Sequence, residues 1–188
     1  MDWWPDLELV DGEVSVRPYR ASDTDDLFAA ATESIADVAP WLAWCHPGYE
    51  RWESEEWVQG QPDRWTSGIA YDFAVRANDR FVGGCGLNLL QAQNRMANLG
   101  YWVRSTAQGR GVATAAARLV AAFGLRELGL ERIEIVVAVA NRASLRVAEK
   151  MGALREGILR RRLLIRDVSH DAVMFSLVSG EFVDVAST

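Results

Sequence analysis

The stretch Gln108-Gly109-Arg110-Gly111-Val112-Ala113-Thr114 decides the fold of this 188-residue chain. It lies between an apolar, strand-like run at residues 98–104 and a long amphipathic pattern at 112–128 that predicts a helix ended by Gly129. The first four N–H groups of a helix lack intrahelical partners, and the helix dipole adds partial positive charge, so an anion can bind there. Small residues at 109, 111 and 113 allow close approach. The turn therefore predicts a phosphate site, with a pyrophosphate as the expected ligand.

Two widely used phosphate loops do not explain this turn. The chain contains neither Gly-x-Gly-x-x-Gly nor Gly-x-x-x-x-Gly-Lys-Ser/Thr, the patterns that hold dinucleotides and nucleoside triphosphates. What remains is Gln/Arg-x-x-Gly-x-Gly/Ala, which residues 108–113 fit.

Four further segments share motifs with one protein family. They are Pro40-Trp41-Leu42-Ala43-Trp44, Asn141-Arg142-Ala143-Ser144, Ala148-Glu149-Lys150-Met151-Gly152-Ala153 and Glu156-Gly157. Together with the turn, they make the chain resemble the GNAT superfamily of acetyl-CoA-dependent N-acetyltransferases, and within it the RimJ/RimL-type branch. The resemblance covers roughly residues 14–178.

Local patterns predict the order of strands and helices. Alternation of apolar and polar residues indicates strands, and apolar residues at helical spacing indicate helices. The predicted strands cover residues 14–17, 71–75, 80–89, 98–104, 133–139, 158–166 and 170–178. The predicted helices begin near 24, 51 and 112, and a shorter one is capped by Asn141 and ended by Gly152.

This order agrees with the fold that the resemblance implies. That fold is α/β (α+β), with a mixed, mostly antiparallel sheet of about seven strands, a central splayed parallel pair and about four flanking helices. We expect a single acetyltransferase domain over residues 1–188, with its core at about 14–178. A chain of this length is long enough for one substantial core.

The resemblance implies where the coenzyme binds. The strands at 98–104 and 132–140 would splay apart around the pantetheine and the acetyl thioester, with backbone groups of Trp102, Val103 and Arg104 facing the ligand. The N–H of Val103 would bind the thioester oxygen and stabilise the charge that develops there. The other predicted coenzyme contacts are Gln108, Gly109, Arg110, Gly111, Val112, Ala113, Thr114, Asn141 and Ser144.

Two polar residues at the start of the shorter helix are candidates for the reacting end of the coenzyme. Asn141 and Ser144 are three positions apart, so their side chains can project together. For Asn141, plain N-capping is the alternative to ligand contact. By similarity to RimL-type enzymes, the hydroxyl of Ser144 is expected to bind the sulfur and help protonate the departing thiolate.

A general base must take a proton from the ammonium group of the acceptor. Two positions where relatives often carry glutamate hold Asn98 and Leu163 here. Glu33 at the end of the first helix is our predicted base, with Asp37 and a water relay as open alternatives, and an exposed carboxylate without a role as the simplest reading.

Aromatic residues crowd the segment between the first helix and the predicted hairpin: Trp41, Trp44, Tyr49, Trp52, Trp57 and Trp65. Aromatic faces bind both apolar groups and cations. We predict that Trp41 and Trp44 line the acceptor site together with Tyr101. Packing of helices on the sheet explains half of these residues equally well, and core packing is the alternative for Tyr101.

Composition excludes several other classes of protein. The two cysteines, Cys45 and Cys85, form no Cys-x-x-Cys pair, and His46 and His170 lack partners at ligand spacing, so we expect neither disulfides nor a metal. The net charge of −6 and the lack of a basic stripe oppose nucleic-acid binding. No run is long and apolar enough for a membrane span, and the first residues do not form a leader, so a cytoplasmic protein is expected.

The charge is divided unequally along the chain. Residues 1–100 carry 17 acidic against 7 basic side chains, and residues 101–188 carry 9 against 13. An acidic first half would attract a cationic amine, although a solvated surface explains it equally. The expected function is acetyl transfer from acetyl-CoA to a primary amine, with a protein or peptide N-terminus as first choice. A small-molecule amine or antibiotic, and a non-catalytic acetyl-CoA sensor, are the alternatives; a homodimer is a further expectation.

Overall fold

Eight strands form one continuous sheet in a computed structural model that describes residues 6–182. The strands are β1 (Leu9–Asp11), β2 (Val14–Pro18), β3 (Tyr71–Ala77), β4 (Arg80–Gln91), β5 (Met96–Val103), β6 (Arg132–Ala138), β7 (Leu154–Ile165) and β8 (Val168–Val178). Their order across the sheet is β1-β2-β3-β4-β5-β6-β8-β7.

One pair of neighbouring strands, β5 and β6, is parallel, and the other pairs of the described sheet are antiparallel. A parallel pair needs a long crossover, and helix α5 (Val112–Arg126) provides it. Antiparallel neighbours can use short turns. Asn78 and Asp79, with φ of 49° and 61°, make the turn between β3 and β4, as the sequence predicts.

Five shorter helices complete the described part of the chain: α1 (Thr24–Glu33), α2 (Ile35–Val38), α3 (Arg51–Gln59), α4 (Gln61–Thr66) and α6 (Arg142–Lys150). Helix α5 covers one face of the sheet and can lie close to it because its buried side includes alanines and Gly124. An added Cβ at Gly124 would lie 2.8 Å from Leu87 Cδ1, closer than packed carbon atoms allow.

Helices α1 and α3 pack on the other face through a smaller apolar cluster. Its buried members are Tyr19, Leu27, Ala30, Val58, Ala74 and Phe81, with Trp102 packed against them. The two faces therefore have separate cores, and β3, β4 and β5 are covered on both sides. This arrangement buries the strands on which the candidate site is built.

The predicted fold class is confirmed, with differences in the shortest elements. The sequence patterns did not predict β1, α2 and α4, which contain three, four and six residues, too few to show a period. The long helix ends at Arg126 rather than at Leu128, although Gly129 still follows it in a left-handed conformation, with φ of 64°. Within residues 6–182, no helix has both the length and the apolar character needed to cross a membrane.

Candidate active site

A cleft opens in the middle of the sheet where β5 and β6 part. Their pairing covers only Met96–Asn98 against Arg132–Glu134, while β5 continues to Val103 and β6 to Ala138. The inner edges of both strands beyond these residues therefore face each other without ladder pairing. An extended ligand inserted here can bind backbone groups on both sides.

The alternation of backbone groups along β5 shows which residues face this cleft. Arg95 C=O accepts from the N–H of Glu131, on the β6 side, and Arg104 N–H donates to Val82 C=O, on the β4 side, at 2.8 Å. Neighbouring residues of a strand point to opposite edges, so the N–H groups of Tyr101 and Val103 face the cleft. The expectation for Trp102 and Arg104 is wrong in this respect, because their backbone groups pair with β4.

The turn that precedes α5 presents its N–H groups at the mouth of the cleft. Gly109 and Gly111 have φ of 75° and 81°, a left-handed conformation that glycine adopts without strain. Gly111 is the N-cap of α5 and supplies no side-chain cap, so the first amides of the helix are left for another acceptor. An added Cβ at either glycine would meet no protein atom within 4 Å, so backbone conformation, and not packing, requires glycine here.

Glu33 anchors the segment before this turn. Its carboxylate pairs with the guanidinium of Arg104 and accepts hydrogen bonds from the N–H and the hydroxyl of Thr106, at 3.1 and 2.8 Å. The hydrogen bond from Arg104 is the main cause that lowers the pKa of Glu33 to about 2; burial opposes it, and the two hydrogen bonds from Thr106 add to the lowering. A carboxylate so acidic is a poor proton acceptor. These surroundings count against Glu33 as the general base, which stays a prediction; the sequence did not show its ion pair with Arg104.

A cavity of about 660 Å³ follows the cleft from the turn to the start of α6. Its lining brings together most of the predicted coenzyme residues: Trp102, Val103, Gln108, Gly109, Gly111, Val112, Ala113, Thr114, Asn141 and Ser144. Arg104 and Arg110 are not among its lining residues. Trp41, which we expected in the acceptor site, lines this cavity instead, beside Val38 and Asp37. Helix α2 comes shortly before Trp41, and its residues Asp37 and Val38 line the same cavity.

Ser144 and Tyr101 form a hydroxyl pair inside the cleft. Ser144 Oγ donates to Tyr101 Oη at 3.0 Å, and Tyr101 Oη donates to the Ser144 carbonyl, also at 3.0 Å. Burial raises the pKa of Tyr101 to about 12, so the phenol keeps its proton at neutral pH. The side chain of Asn141 accepts from Ser144 N–H at 3.1 Å and thereby caps α6, the plain alternative for this residue.

A second cavity, of about 700 Å³, lies on the face covered by α1 and α3. Its walls are aromatic: Tyr19, Trp44, Tyr49, Trp52, Trp57, Tyr101 and Trp102. Trp44 lies edge-on to Trp102, with ring centroids 5.2 Å apart. Trp65, in contrast, is a core residue that is 1% exposed. The two cavities share Leu42 and the β5 residues Gly100, Tyr101 and Trp102, so they meet at the cleft.

Asp72 is a carboxylate in this second cavity that sequence reasoning missed. It lies on β3 and is 8% exposed. Arg64 Nε is 3.4 Å from Asp72 Oδ2, within ion-pair distance, and neither atom has a hydrogen bond among the described residues. Burial raises the pKa of Asp72 to about 6, and Arg64 limits the rise. The sequence feature that could have indicated Asp72 is its place as the single acid in the apolar run at 71–75, because burying an ionised side chain is energetically unfavourable.

Other polar residues singled out from the sequence have ordinary partners. His46 Nε2 lies 3.0 Å from Glu53 Oε2, and Cys45 is buried with its Sγ directed to the Ala31 carbonyl. Asn98 donates to Asn88 Oδ1 at 3.0 Å, and Leu163 lines the cavity that follows the cleft. Among the described residues, no group of three His, Cys, Asp or Glu side chains could hold a metal ion.

Two bacterial proteins are similar to this chain in sequence. YdaF of Bacillus subtilis (strain 168), which carries the provisional name ribosomal N-acetyltransferase, is 35% identical over 116 residues, 62% of this chain and 60% of that protein. The ribosomal-protein-serine acetyltransferase of Escherichia coli (strain K12) is 25% identical over 126 residues, 67% of this chain and 70% of that protein. The chain thus spans about three fifths of the length of YdaF.

A solved structure extends the similarity to nearly the whole chain. Mycobacterium smegmatis RimJ in complex with CoA-disulfide matches with a TM-score of 0.83 and 25% identity, over 96% of this chain and 91% of that one. These likenesses confirm the predicted RimJ/RimL-type resemblance. A profile of the acetyltransferase (GNAT) domain matches residues 13–154. On this match and on the fold, the chain belongs to the GNAT acetyltransferase domain family.

Proposed function

We propose that this chain transfers an acetyl group from acetyl-CoA to a primary amine, first of all the N-terminal α-amine of a protein or peptide. One observation carries the proposal: the left-handed turn at Gly109 and Gly111 lies at the mouth of a cleft whose edges are unpaired. The turn offers amides to a diphosphate, and the edges offer amides and carbonyls to pantetheine. The RimJ structure with its CoA-disulfide supports this placement.

The reacting groups follow from the side of β5 that faces the cleft. The Val103 N–H is free to bind the thioester oxygen and to stabilise the negative charge that grows on it during attack. With the thioester oxygen at the Val103 N–H, we expect the thioester sulfur beside Ser144 and Tyr101, which line the same cavity. Ser144 O–H would turn from Tyr101 to the sulfur and supply the proton that the departing thiolate needs.

The acceptor would enter through the second cavity. Its aromatic walls suit an ammonium group and the carbon chain attached to it. Asp72, Glu53 and Glu56 add negative charge to the same lining, in line with the acidic first half of the sequence. Because the two cavities meet at Gly100–Trp102, both substrates can be bound together and transfer can be direct.

Release of the coenzyme thiol tests the proposal. Purified protein and acetyl-CoA are incubated with free-amine peptides that begin with serine or alanine, with a polyamine and with an aminoglycoside. Peptides that begin with serine are included because the E. coli relative is named for ribosomal-protein serine. Amine-dependent thiol release, with an acetylated product in the mass spectrum, supports the proposal.

Two other results would change the conclusion. Turnover of the polyamine or the aminoglycoside alone would favour a small-molecule acetyltransferase, which the enclosed aromatic cavity also suits. Calorimetric binding of acetyl-CoA without turnover of any amine would favour a sensor. Absence of acetyl-CoA binding would refute the proposal in each form.

A further inference from the structure

Asp72, Gly86 and Gly100 form a row across three neighbouring strands. Asp72 of β3 lies opposite Gly86 of β4, and Gly86 lies opposite Gly100 of β5. Residues opposite each other in antiparallel strands project to the same face. On β4 and β5 the residues in this row are glycine, so neither adds a side chain between the carboxylate and the edge of β5. The nearest side-chain atom to a Cβ added at Gly100 is Asn88 Nδ2, at 3.7 Å.

The carboxylate of Asp72 lies over Gly86 and is thereby directed along this row. A Cβ added at Gly86 would overlap Asp72 Oδ1, which shows that the carboxylate occupies the space above this glycine. Neighbouring strands are about 4.8 Å apart, so the carboxylate lies roughly 5 Å from the Gly100 backbone. An amine nitrogen fits between the carboxylate and a thioester held at the edge of β5.

Asp72 Oδ1 lies over Gly86, and Oδ2 is buried beside Arg64. Arg64 of α4 is the charged neighbour, and Oδ2 has no hydrogen bond among the described residues. Tyr19, in the segment before α1, and Cys85 of β4, whose side chain packs in the core on the other face, interact electrostatically with Asp72. Burial raises the pKa of both, so they are neutral at working pH. Glu53, Glu56 and His46 lie farther along the same cavity. Burial also makes the carboxylate more basic than an exposed aspartate, with a pKa of about 6.

We propose that Asp72 is the general base of the acetyl transfer. Its carboxylate takes one proton from the ammonium group, and the freed amine nitrogen attacks the thioester carbon. The C–N bond forms and the C–S bond breaks. Ser144 O–H gives its proton to the departing thiolate and regains one from the nitrogen, which loses its second proton in this way. This inference rests on the proposed function; the alternative for Asp72 is a purely structural ion pair with Arg64.

The rate as a function of pH tests this assignment on three variants. The value of kcat/KM is measured with acetyl-CoA and the fastest amine of the panel for wild type, Asp72→Asn and Arg64→Gln, with the exposed Asp63→Asn as control. For wild type we expect a rise with pH that levels off above about 6. Asp72→Asn should lose about a hundredfold or more and lack this rise. Arg64→Gln should shift the rise to higher pH, because Arg64 lowers the pKa of Asp72.

A structural ion pair would behave differently. It predicts that Asp72→Asn and Arg64→Gln lose thermal stability alike and keep the rise at the wild-type pH. That result, or an Asp72→Asn enzyme within a few-fold of wild type, would overturn the proposal. Arg64→Gln keeps the carboxylate, so its shifted profile decides the question even if Asp72→Asn folds poorly. If wild-type protein binds acetyl-CoA but acetylates no amine, the proposed function fails first and the base with it.

Discussion

At the scale of single residues, two carboxylates have opposite surroundings. Glu33 has a cation and two Thr106 donors, which lower its pKa to about 2, whereas Asp72 is buried and its pKa rises to about 6. A hydrogen-bonded carboxylate holds structure in place, and a desolvated one accepts protons near neutral pH. The first residue is therefore expected to affect coenzyme binding and the second to affect chemistry.

Replacement of Glu33 tests its anchoring role. Glu33→Gln should raise the Kd for acetyl-CoA about threefold to tenfold, because each net hydrogen bond contributes about 0.5–1.5 kcal/mol. The pH at which the rate rises should stay the same. Calorimetry and the pH–rate profile measure the two effects, with Glu127→Gln at the far end of α5 as control. A changed pH profile with unchanged binding would restore Glu33 as the base.

The pH dependence of the free energy of unfolding tests the pKa of Asp72 without a substrate. Its pKa is raised from 3.8 to about 6, so the folded protein holds this proton more tightly than the unfolded chain does. The free energy of unfolding of wild type, relative to Asp72→Asn, should therefore fall by about 3 kcal/mol as the pH rises from about 4 to 7.

Urea unfolding of both proteins at several pH values measures this difference. The other carboxylates titrate alike in wild type and in the variant, so the difference isolates Asp72. A difference that stays constant, or that grows in favour of wild type as the pH rises, would contradict the raised pKa.

At the scale of elements, the turn before α5 depends on its backbone conformation. Gly111→Ala should cost about 1–2 kcal/mol of stability, because a side chain is strained in the left-handed region. The amides of α5 would also be redirected, so the Kd for acetyl-CoA should rise in the same variant. Thermal unfolding and calorimetry measure both.

Gly157→Ala is the matched control for this turn. An added Cβ at Gly157 also meets no atom within 4 Å, and this glycine is not left-handed. It should leave both quantities near wild type. Equal losses in the two variants would show that the conformation of Gly111 has no special role.

The sequence predicted those elements whose pattern is local. Helix α5 keeps its apolar spacing over many residues, and α3 begins at Arg51, as predicted. The splay of β5 from β6, by contrast, came only from the family resemblance, because pairing between distant strands leaves no local pattern. The same limit explains the site. Gly109 and Gly111 lie in one short motif and Ser144 in another, whereas the pairing of Glu33 with Arg104 joins residues 71 positions apart.

At the scale of the whole molecule, two tryptophans that are close in sequence line different cavities. Trp41 lines the cavity proposed for the coenzyme, and Trp44 lines the cavity proposed for the acceptor. Trp41→Ala should raise the KM for acetyl-CoA, and Trp44→Ala should raise the KM for the amine, each about threefold to tenfold, since an aromatic contact contributes about 0.5–1.5 kcal/mol.

Initial rates with each substrate varied in turn measure the two constants. Each variant is the control for the other, because both remove an indole from neighbouring parts of the chain. If both variants raised the same constant, the division between the cavities would be wrong.

The meeting of the two cavities at Gly100–Trp102 has a kinetic consequence. The two cavities share Leu42 and Gly100–Trp102, and their other lining residues differ. We therefore expect each substrate to have its own entrance. We then expect the coenzyme thiol and the amide product to be released in either order. Double-reciprocal plots should intersect, and each product should inhibit competitively against the substrate whose entrance it uses.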